Sequence, residues 1–430
     1  MEREVLSVRI GWLIGVCLAV LFPVFAAQAA DEAKPQENQQ AGQREAQPEK
    51  PAEKAVTEYP IVYLGKTYPE PIPLSLLDQE TTEKGIDGAR LAIAENNRTG
   101  SFLGKHFSLE EHRIAPDADI REEAKKLFDE GRKLIVADLE PEDLLALADM
   151  PEASDALILD IRTHDDTLRQ QQCRANVFHI LPSDAMRTDA LAQYLIWKKW
   201  DRWFLLKGTA PTDIAYAKAV KRAARRFGGD IVEERSYKFE AGNNRADSGH
   251  QQIQTQMPAA TQAAADHDVL WVADTVEGFG EYLPYRVYTP KPVVGTQGLV
   301  ATAWHRSYEE YAGTQLQDRF ERAAHRWMTE RDYGGWLAVR AIGEAATRSP
   351  KSDPADLRAY MLSDAFTVAG FKGRGMSFRP WNNQLRQPIL IAGPRSLVST
   401  SPQEGFLHPN HLTDTLGFDK LESKCSFAGN

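Results

Sequence analysis

Cysteine is scarce in this chain. Cys17, Cys173 and Cys425 are spread over 430 positions with no C-x-x-C spacing, which excludes a disulfide-dense scaffold and a cysteine-rich metal module. A basic excess is missing as well: 51 Lys and Arg face 61 Asp and Glu, for a net charge of −10. Nucleic acid and anionic membranes require a basic footprint, so neither is expected as a partner. The chain has no G-x-S-x-G, no H-E-x-x-H and no phosphate-binding glycine loop, so it is read as a non-enzyme with no catalytic residue and no cofactor. His408-Pro-Asn-His411 pairs two histidines on a proline-containing loop. With no further ligand beside them, no metal site is assigned.

Long apolar runs are missing apart from one. Ile10–Phe25 follows the positive Arg3 and Arg9 and precedes Ala27-Gln28-Ala29. This is the pattern of a signal peptide over residues 1–30, cleaved near Ala29, with a membrane anchor as the alternative. Export to an oxidising compartment leaves Cys173 and Cys425, either as a disulfide or as two free thiols. Residues 31–58 are rich in Gln, Glu, Lys, Ala and Pro and read as a disordered linker.

From Tyr59 onward, short apolar strands alternate with amphipathic helices. Strands are expected at Ile61–Leu64, His106–His112, Leu134–Ala137, Ala156–Leu159 and Val177–Leu181. Helices are expected at Gly85–Asn97, Ile120–Glu130 and Glu142–Met150. The rhythm implies an α/β fold, with parallel sheets and flanking helices joined by right-handed crossovers. It restarts after Pro182: strands at Trp203–Leu206, Ile231–Tyr237 and Val269–Ala273 enclose a helix at Ile214–Phe227, and Thr255–Ala265 reads as a helix interrupted by Pro258. The restart makes NVFHILPSDAMRTDALAQYL the crossing between two lobes, with Leu181, Pro182 and Ser183 as the bend. Further helices are expected within Ser307–Thr347, and a hairpin from Ser377 to Ala392 around Asn382-Asn383.

The order of these pieces resembles the type I periplasmic solute-binding proteins, in particular the branched-chain amino-acid-binding group of ABC transporters. The resemblance is carried by GIDGARLAIAENNRTGSFLGKHFSL, HILPSDAMRTDALAQYL, YGGWLAVRAIGEAATR and GFKGRGMSFRPWNNQLRQPILIA, and covers about Tyr59 to Ile391. A narrower resemblance, in LAQYLIWKKWDRW, GEYLPYR, VVGTQGL, NNQLRQP and SPQEGFLHP, is to binding-protein-like members encoded with PQQ-dependent alcohol dehydrogenase systems. The resemblance implies a two-lobed type I periplasmic binding protein fold with three hinge crossings. The second would lie near Thr302–His305 and the third near Arg348–Asp353. The N-terminal lobe would then be 59–182 plus 305–348, the C-terminal lobe 183–304 plus 349–398, and the tail 399–430. It implies a periplasmic monomer that binds a small polar ligand, with an ABC permease or a periplasmic quinoprotein dehydrogenase system as partner.

In the amino-acid-binding members, two N-lobe loops give hydroxyls and backbone N–H groups to the ligand carboxylate. The matching loops here read Asp138-Leu-Glu140-Pro-Glu142 and Asp160-Ile-Arg162-Thr163-His164-Asp165. The first has no hydroxyl and three carboxylates, which repel an anion. Asp138, Glu140 and Asp160 therefore read as acceptors for a cation, an amine or a polyhydroxy ligand, or, for Glu140 and Glu142, as acids favouring a helix start. Arg162 and Thr163 match the expected chemistry. In the second lobe, Asp213 and Tyr216 follow the loop after Trp203–Leu206, and Tyr216 resembles the family's cleft aromatic. Asp274 and Glu277 resemble its acid for the ligand ammonium. Helix capping by Asp213 and a plain surface loop at Glu277 are the alternatives.

Overall fold

The computed structural model describes residues 56–70, 81–238, 249–349 and 351–427. The expected signal peptide and nearly all of the expected linker lie outside these residues. Among them, no helix is long and apolar enough to cross a membrane.

The first layer starts with β1 (Thr57–Lys66), whose Ile61–Leu64 run is fully buried. It continues with α1 (Ile86–Leu103), β2 (Lys105–Ile114), α2 (Ile120–Asp129), β3 (Leu134–Asp138), α3 (Pro141–Ala148), β4 (Leu157–Asp160) and β5 (Val177–His179). The local chemistry sets the boundaries. Gly104, in a left-handed conformation, closes α1; the Asp119 side chain accepts from the Arg121 N–H to start α2; Pro141 opens α3. The five strands are all parallel, in the order β2-β1-β3-β4-β5. Apolar clusters cover both faces, as a parallel sheet requires.

The second layer begins with α4 (Asp184–Trp197), capped by Ser183, whose hydroxyl accepts from the Met186 N–H at 3.3 Å. Then come β6 (Arg202–Lys207), α5 (Pro211–Phe227), β7 (Asp230–Ser236), α6 (Gly249–Thr261), β8 (Val269–Ala273), α7 (Leu283–Arg286), β9 (Val293–Gly295) and β10 (Leu299–Thr302). Pro258 lies inside α6 without ending it. Trp203 and Trp271 pack in this core with ring centroids 4.8 Å apart.

The chain then returns to the first layer. After α8 (Gly313–Ala324), α9 (Glu330–Arg348) packs along α1 at a separation only glycine permits: a Cβ on Gly88 would lie 1.8 Å from the Asp332 carbonyl oxygen, and one on Gly335 would lie 2.1 Å from that of Gly85. α10 (Pro354–Met361) packs on α9 and β4, and β11 (Val368–Ala369) pairs with β12 (Gly375–Met376). Only then does β13 (Ile389–Gly393) enter the second sheet, followed by β14 (Ser396–Ser401). That sheet has the order β14-β13-β10-β9-β8-β6-β7, with β13 and β14 antiparallel.

Two expectations change here. The third passage between layers is not at Arg348–Asp353. Phe366, Val368, Met376, Phe378 and Leu385 share the core of the first layer, whereas Ile389 joins that of the second. The passage therefore lies between Leu385 and Ile389. The hairpin is also shorter than expected: around Asn382-Asn383, Phe378 bridges Leu385, Arg379 N–H donates to the Gln384 carbonyl (2.9 Å) and Arg386 N–H to the Ser377 carbonyl (2.8 Å), whereas Ile389–Ala392 pairs with β10 and β14. The same segment also pairs with β5, through His179 N–H to the Asn383 carbonyl (3.0 Å) and Leu385 N–H to the His179 carbonyl (2.9 Å). An Asn-Asn pair signals a turn, and long-range pairing decides what that turn joins.

The tail packs back on both layers. Leu416 joins the second core, and Asp414 is buried between Arg379 and Arg386. Cys425 is disulfide-bonded to Cys173 across 252 residues.

Candidate functional site

The carboxyl ends of the strands in both layers border one cavity of about 660 Å³, within the range of small-ligand sites. The first layer contributes Glu140 and Pro141 after β3, Arg162–Asp165 after β4, and Thr329–Arg331 at the start of α9. The second contributes Asp184 and Arg187 of α4, Thr212 and Ala215 of α5, and Asp274, Thr275, Glu277, Thr296 and Gln297 after β8 and β9. A second chamber of about 400 Å³, lined by Tyr63, Tyr68, Glu70, Arg113 and Asp138, shares Lys84, Arg162 and Arg331 with it.

Of the residues expected from the sequence, Glu140, Arg162, Thr163, Asp274 and Glu277 line the cleft, and Asp138 lines the second chamber. Asp160, Asp213 and Tyr216 border neither: each is 1% exposed. Their roles follow from their contacts. One oxygen of Asp160 accepts the N–H groups of Arg162 and Thr163, both at 3.0 Å; the other accepts from His179 Nδ1 at 2.8 Å and from the Thr163 hydroxyl. Burial alone would raise this carboxyl. The hydrogen bond from His179 and the charges of His179 and Arg169 outweigh it and hold the group at about 2. Asp160 is thus the anchor of the β4 loop, not a free acceptor, and it takes up N–H groups that a ligand would otherwise meet.

Asp213 caps α5: its oxygens accept from Ala210 N–H at 3.0 Å and from the N–H and hydroxyl of Thr275, both at 2.7 Å. Tyr216 lies beneath the cleft floor under the Arg187 guanidinium, its hydroxyl pushed up to about 12 by burial. Asp274 borders the cleft, but its carboxylate accepts three backbone N–H groups, from Gly278 (3.0 Å), Phe279 (2.8 Å) and Gly280 (2.6 Å). It shapes the turn that presents Glu277, which is exposed and has a positive φ of 54°. Of the nearby tryptophans, Trp203 is core and Trp197 is 55% exposed.

The acidic β3 loop is neutralised from a distance. Arg162 Nη1 donates to Asp138 at 3.1 Å, its Nη2 lies 3.6 Å from Glu140, and its guanidinium stacks on Tyr68 at 4.6 Å. The other Asp138 oxygen accepts from the Tyr63 hydroxyl at 2.8 Å. Arg331 and Lys84 both donate to Glu70. Burial would raise Glu70, but Arg331 and Lys84 prevail and hold it at about 2. The expected acid-dominated cleft is therefore mixed in charge, with Lys84, Arg162, Arg187 and Arg331 facing it. Among the described residues, no cluster of His, Cys, Asp and Glu could hold a metal ion.

The floor nearest the first passage is a half-buried cluster of ionisable groups that the sequence reading missed. Glu330 faces His164 Nε2 at 3.6 Å and accepts from Ala303 N–H. Burial would raise Glu330, while His164 and Arg187 pull it down. Burial lowers His164 to about 4. Burial pushes Asp184 up to about 7 despite Arg187 at 3.3 Å, and Asp166 adds to the rise. Glu330 and Arg331 sit just ahead of YGGWLAVRAIGEAATR, separated from it by Asp332, so the start of that helix was the available signal.

A family model described as periplasmic binding protein matches residues 73–395. No curated protein sequence matches the chain at a significant level. Among solved structures, a branched chain amino acid ABC transporter periplasmic ligand-binding protein from Burkholderia xenovorans is similar at 16% identity and a TM-score of 0.65, over 86% of this chain and 99% of that one. The leucine-, isoleucine-, valine-, threonine- and alanine-binding protein from Brucella ovis, in its closed conformation, is similar at 12% identity and a TM-score of 0.63, over 86% and 99%. An ABC transporter solute-binding protein from R. palustris, in complex with benzoate, is similar at 10% identity and a TM-score of 0.59, over 86% and 100%. At these identities the likeness establishes a shared α/β architecture of parallel sheets with flanking helices.

Proposed function

The chain belongs to the periplasmic binding protein family, and from this premise we propose that it captures a small polar ligand between its lobes and delivers it to an ABC-type transport system. The observation that carries this reading is the cavity of about 660 Å³ walled by both layers, with charged side chains from each. The ligand contacts are assigned to Glu140, Arg162, Thr163 and Glu277, joined by Lys84, Arg187 and Glu330. Asp138, Asp160, Asp213, Tyr216 and Asp274 act one step behind, holding those groups in place. Leu181, Pro182 and Ser183 serve as a hinge, with Thr302–His305 and Leu385–Ile389 as the other crossings, and ligand selects the closed state. Export into the periplasm would follow cleavage near Ala29. The mixed charge of the cleft suits a ligand that offers both an anionic group and donors, rather than a simple cation.

The segments LAQYLIWKKWDRW, GEYLPYR, VVGTQGL, NNQLRQP and SPQEGFLHP support a link to PQQ-dependent alcohol oxidation. A second reading, a ligand sensor or accessory protein of a periplasmic quinoprotein dehydrogenase, is favoured by Asp160: it occupies the loop N–H groups that amino-acid binders offer to a ligand. Thermal-shift and calorimetric titration with amino acids, aromatic acids, alcohols, aldehydes and PQQ test the first reading. A ligand present at a thousandfold its Kd adds about 4 kcal/mol. Silence across the panel, together with co-purification of a dehydrogenase, would replace the first reading by the second.

A further inference from the structure

The cleft loop after β4, the first passage and the segment that leads into the return passage meet at one buried side chain. Arg169, on the short turn Asp166–Arg169, is 1% exposed. A guanidinium carries five N–H donors in a rigid plane, and here all are engaged. Nε donates to Gln384 Oε1 at 3.0 Å, in the segment that leads into the return passage. Nη1 donates to the Thr163 hydroxyl at 3.0 Å and the Asp165 carbonyl at 2.9 Å. Nη2 donates to the Thr163 carbonyl at 2.7 Å and the Leu181 carbonyl at 3.3 Å, on the first passage. Asp160, 3.6 Å away, balances the charge. Gln384 extends the hub: its Nε2 donates to the carbonyls of His179 (3.2 Å) and Leu181 (3.0 Å).

We propose that Arg169 is a positioning residue that couples the angle between the lobes to the conformation of the ligand-facing Arg162–Asp165 loop. The inference deepens the hinged-capture reading above and rests on it. Its physical basis is the stiffness of the hub. Hydrogen bonds keep their strength only over a few tenths of an ångström, and a buried site has no water to substitute for a lost partner. A rotation at Leu181 or Gln384 therefore either drags Thr163 along or breaks a charge-assisted bond, and dragging costs less. Opening and closing the lobes then presents two different loops to the ligand. A residue that merely neutralised Asp160 would transmit nothing from Gln384, whose own side-chain partners are Arg169, His179, Leu181 and Leu385.

Hydrogen exchange of the intact, ligand-free protein reads this directly. Gln384→Leu removes the acceptor of Arg169 without touching the loop, and Gln384→Glu keeps an oxygen there. Exchange at the Arg162 and Thr163 amides should rise about tenfold in the Leu variant, the equivalent of a bond opened at about 1.4 kcal/mol lower cost. It should stay near the wild-type rate in the Glu variant. A Leu variant that changes exchange only around Arg379–Pro388 overturns the proposal. If that variant does not fold, Arg169→Lys replaces it: charge is retained and the planar fork lost, so unchanged protection of the loop in folded Arg169→Lys also overturns it. The experiment needs no ligand. A failed ligand panel beside coupled exchange would refute the capture reading alone.

Discussion

Replacing Asp160 by asparagine tests the central claim about the cleft, that this acid organises the loop and does not serve the ligand. The substitution leaves one oxygen for the N–H groups of Arg162 and Thr163, but puts an NH₂ group where His179 and the Thr163 hydroxyl now donate. It also strips the nearest countercharge from buried Arg169, 3.6 Å away. Removing one partner of a buried ion pair costs about 3–5 kcal/mol. Linkage gives an independent figure: a carboxyl held at about 2 instead of 3.8 contributes about 2.5 kcal/mol at neutral pH. The sign follows from the depressed value. The contribution is present above the ordinary carboxylate range and disappears as pH falls through the folded value, with about half gone near pH 3. Urea denaturation of both proteins between pH 7 and pH 3 should give a gap of about 3 kcal/mol at neutral pH that narrows on acidification. A gap below about 1 kcal/mol at pH 7, the level of an exposed pair, or one that stays constant with pH, would refute the reasoning.

Further outcomes follow from other contacts. Cys173→Ser with Cys425→Ser reopens a loop of 252 residues; loop-closure entropy sets an upper loss of about 5 kcal/mol in guanidinium denaturation, and a loss the wild type does not reproduce under reductant would implicate something other than the bond. Asp184 is raised to about 7, so the folded protein takes up its proton near neutrality and its stability rises as pH falls from there toward the ordinary carboxylate range. Asp184→Asn should be the more stable protein at pH 8 and lack that rise, and identical pH profiles would disprove the assignment. Gly88→Ala places a Cβ 1.8 Å from the Asp332 carbonyl, forcing α1 and α9 apart at a cost of about 1–3 kcal/mol; a neutral result would mean that the helices are not in this contact.

The tertiary structure corrected the sequence reading most where chemistry depends on partners. Asp138, Asp160, Asp213 and Asp274 were legible as carboxylates on loops at strand ends, and four of the nine expected site residues still fall outside the cleft wall or behind it. Whether a carboxylate is available to a ligand is set by the donors that packing brings within about 3 Å. Those donors were far away in sequence: Tyr63 for Asp138, His179 for Asp160, Thr275 for Asp213. The nearest-neighbour signal sufficed to place Glu140, Arg162, Thr163, Asp274 and Glu277 on the wall, because β3, β4 and β8 end just before them.

By itself the sequence determined the alternating elements, the break at Pro182 and the parallel α/β architecture, because these arise from apolar periodicity, proline and glycine acting within a few residues. Only the tertiary structure decided that the return passage runs through Leu385–Ile389 and that Cys425 reaches Cys173. It alone set the charge of the cleft, through Lys84 and Arg331. Those outcomes depend on contacts between residues that only folding brings together, and on the loss of water around them, which turns a row of exposed acids into an occupied set of hydrogen-bond acceptors.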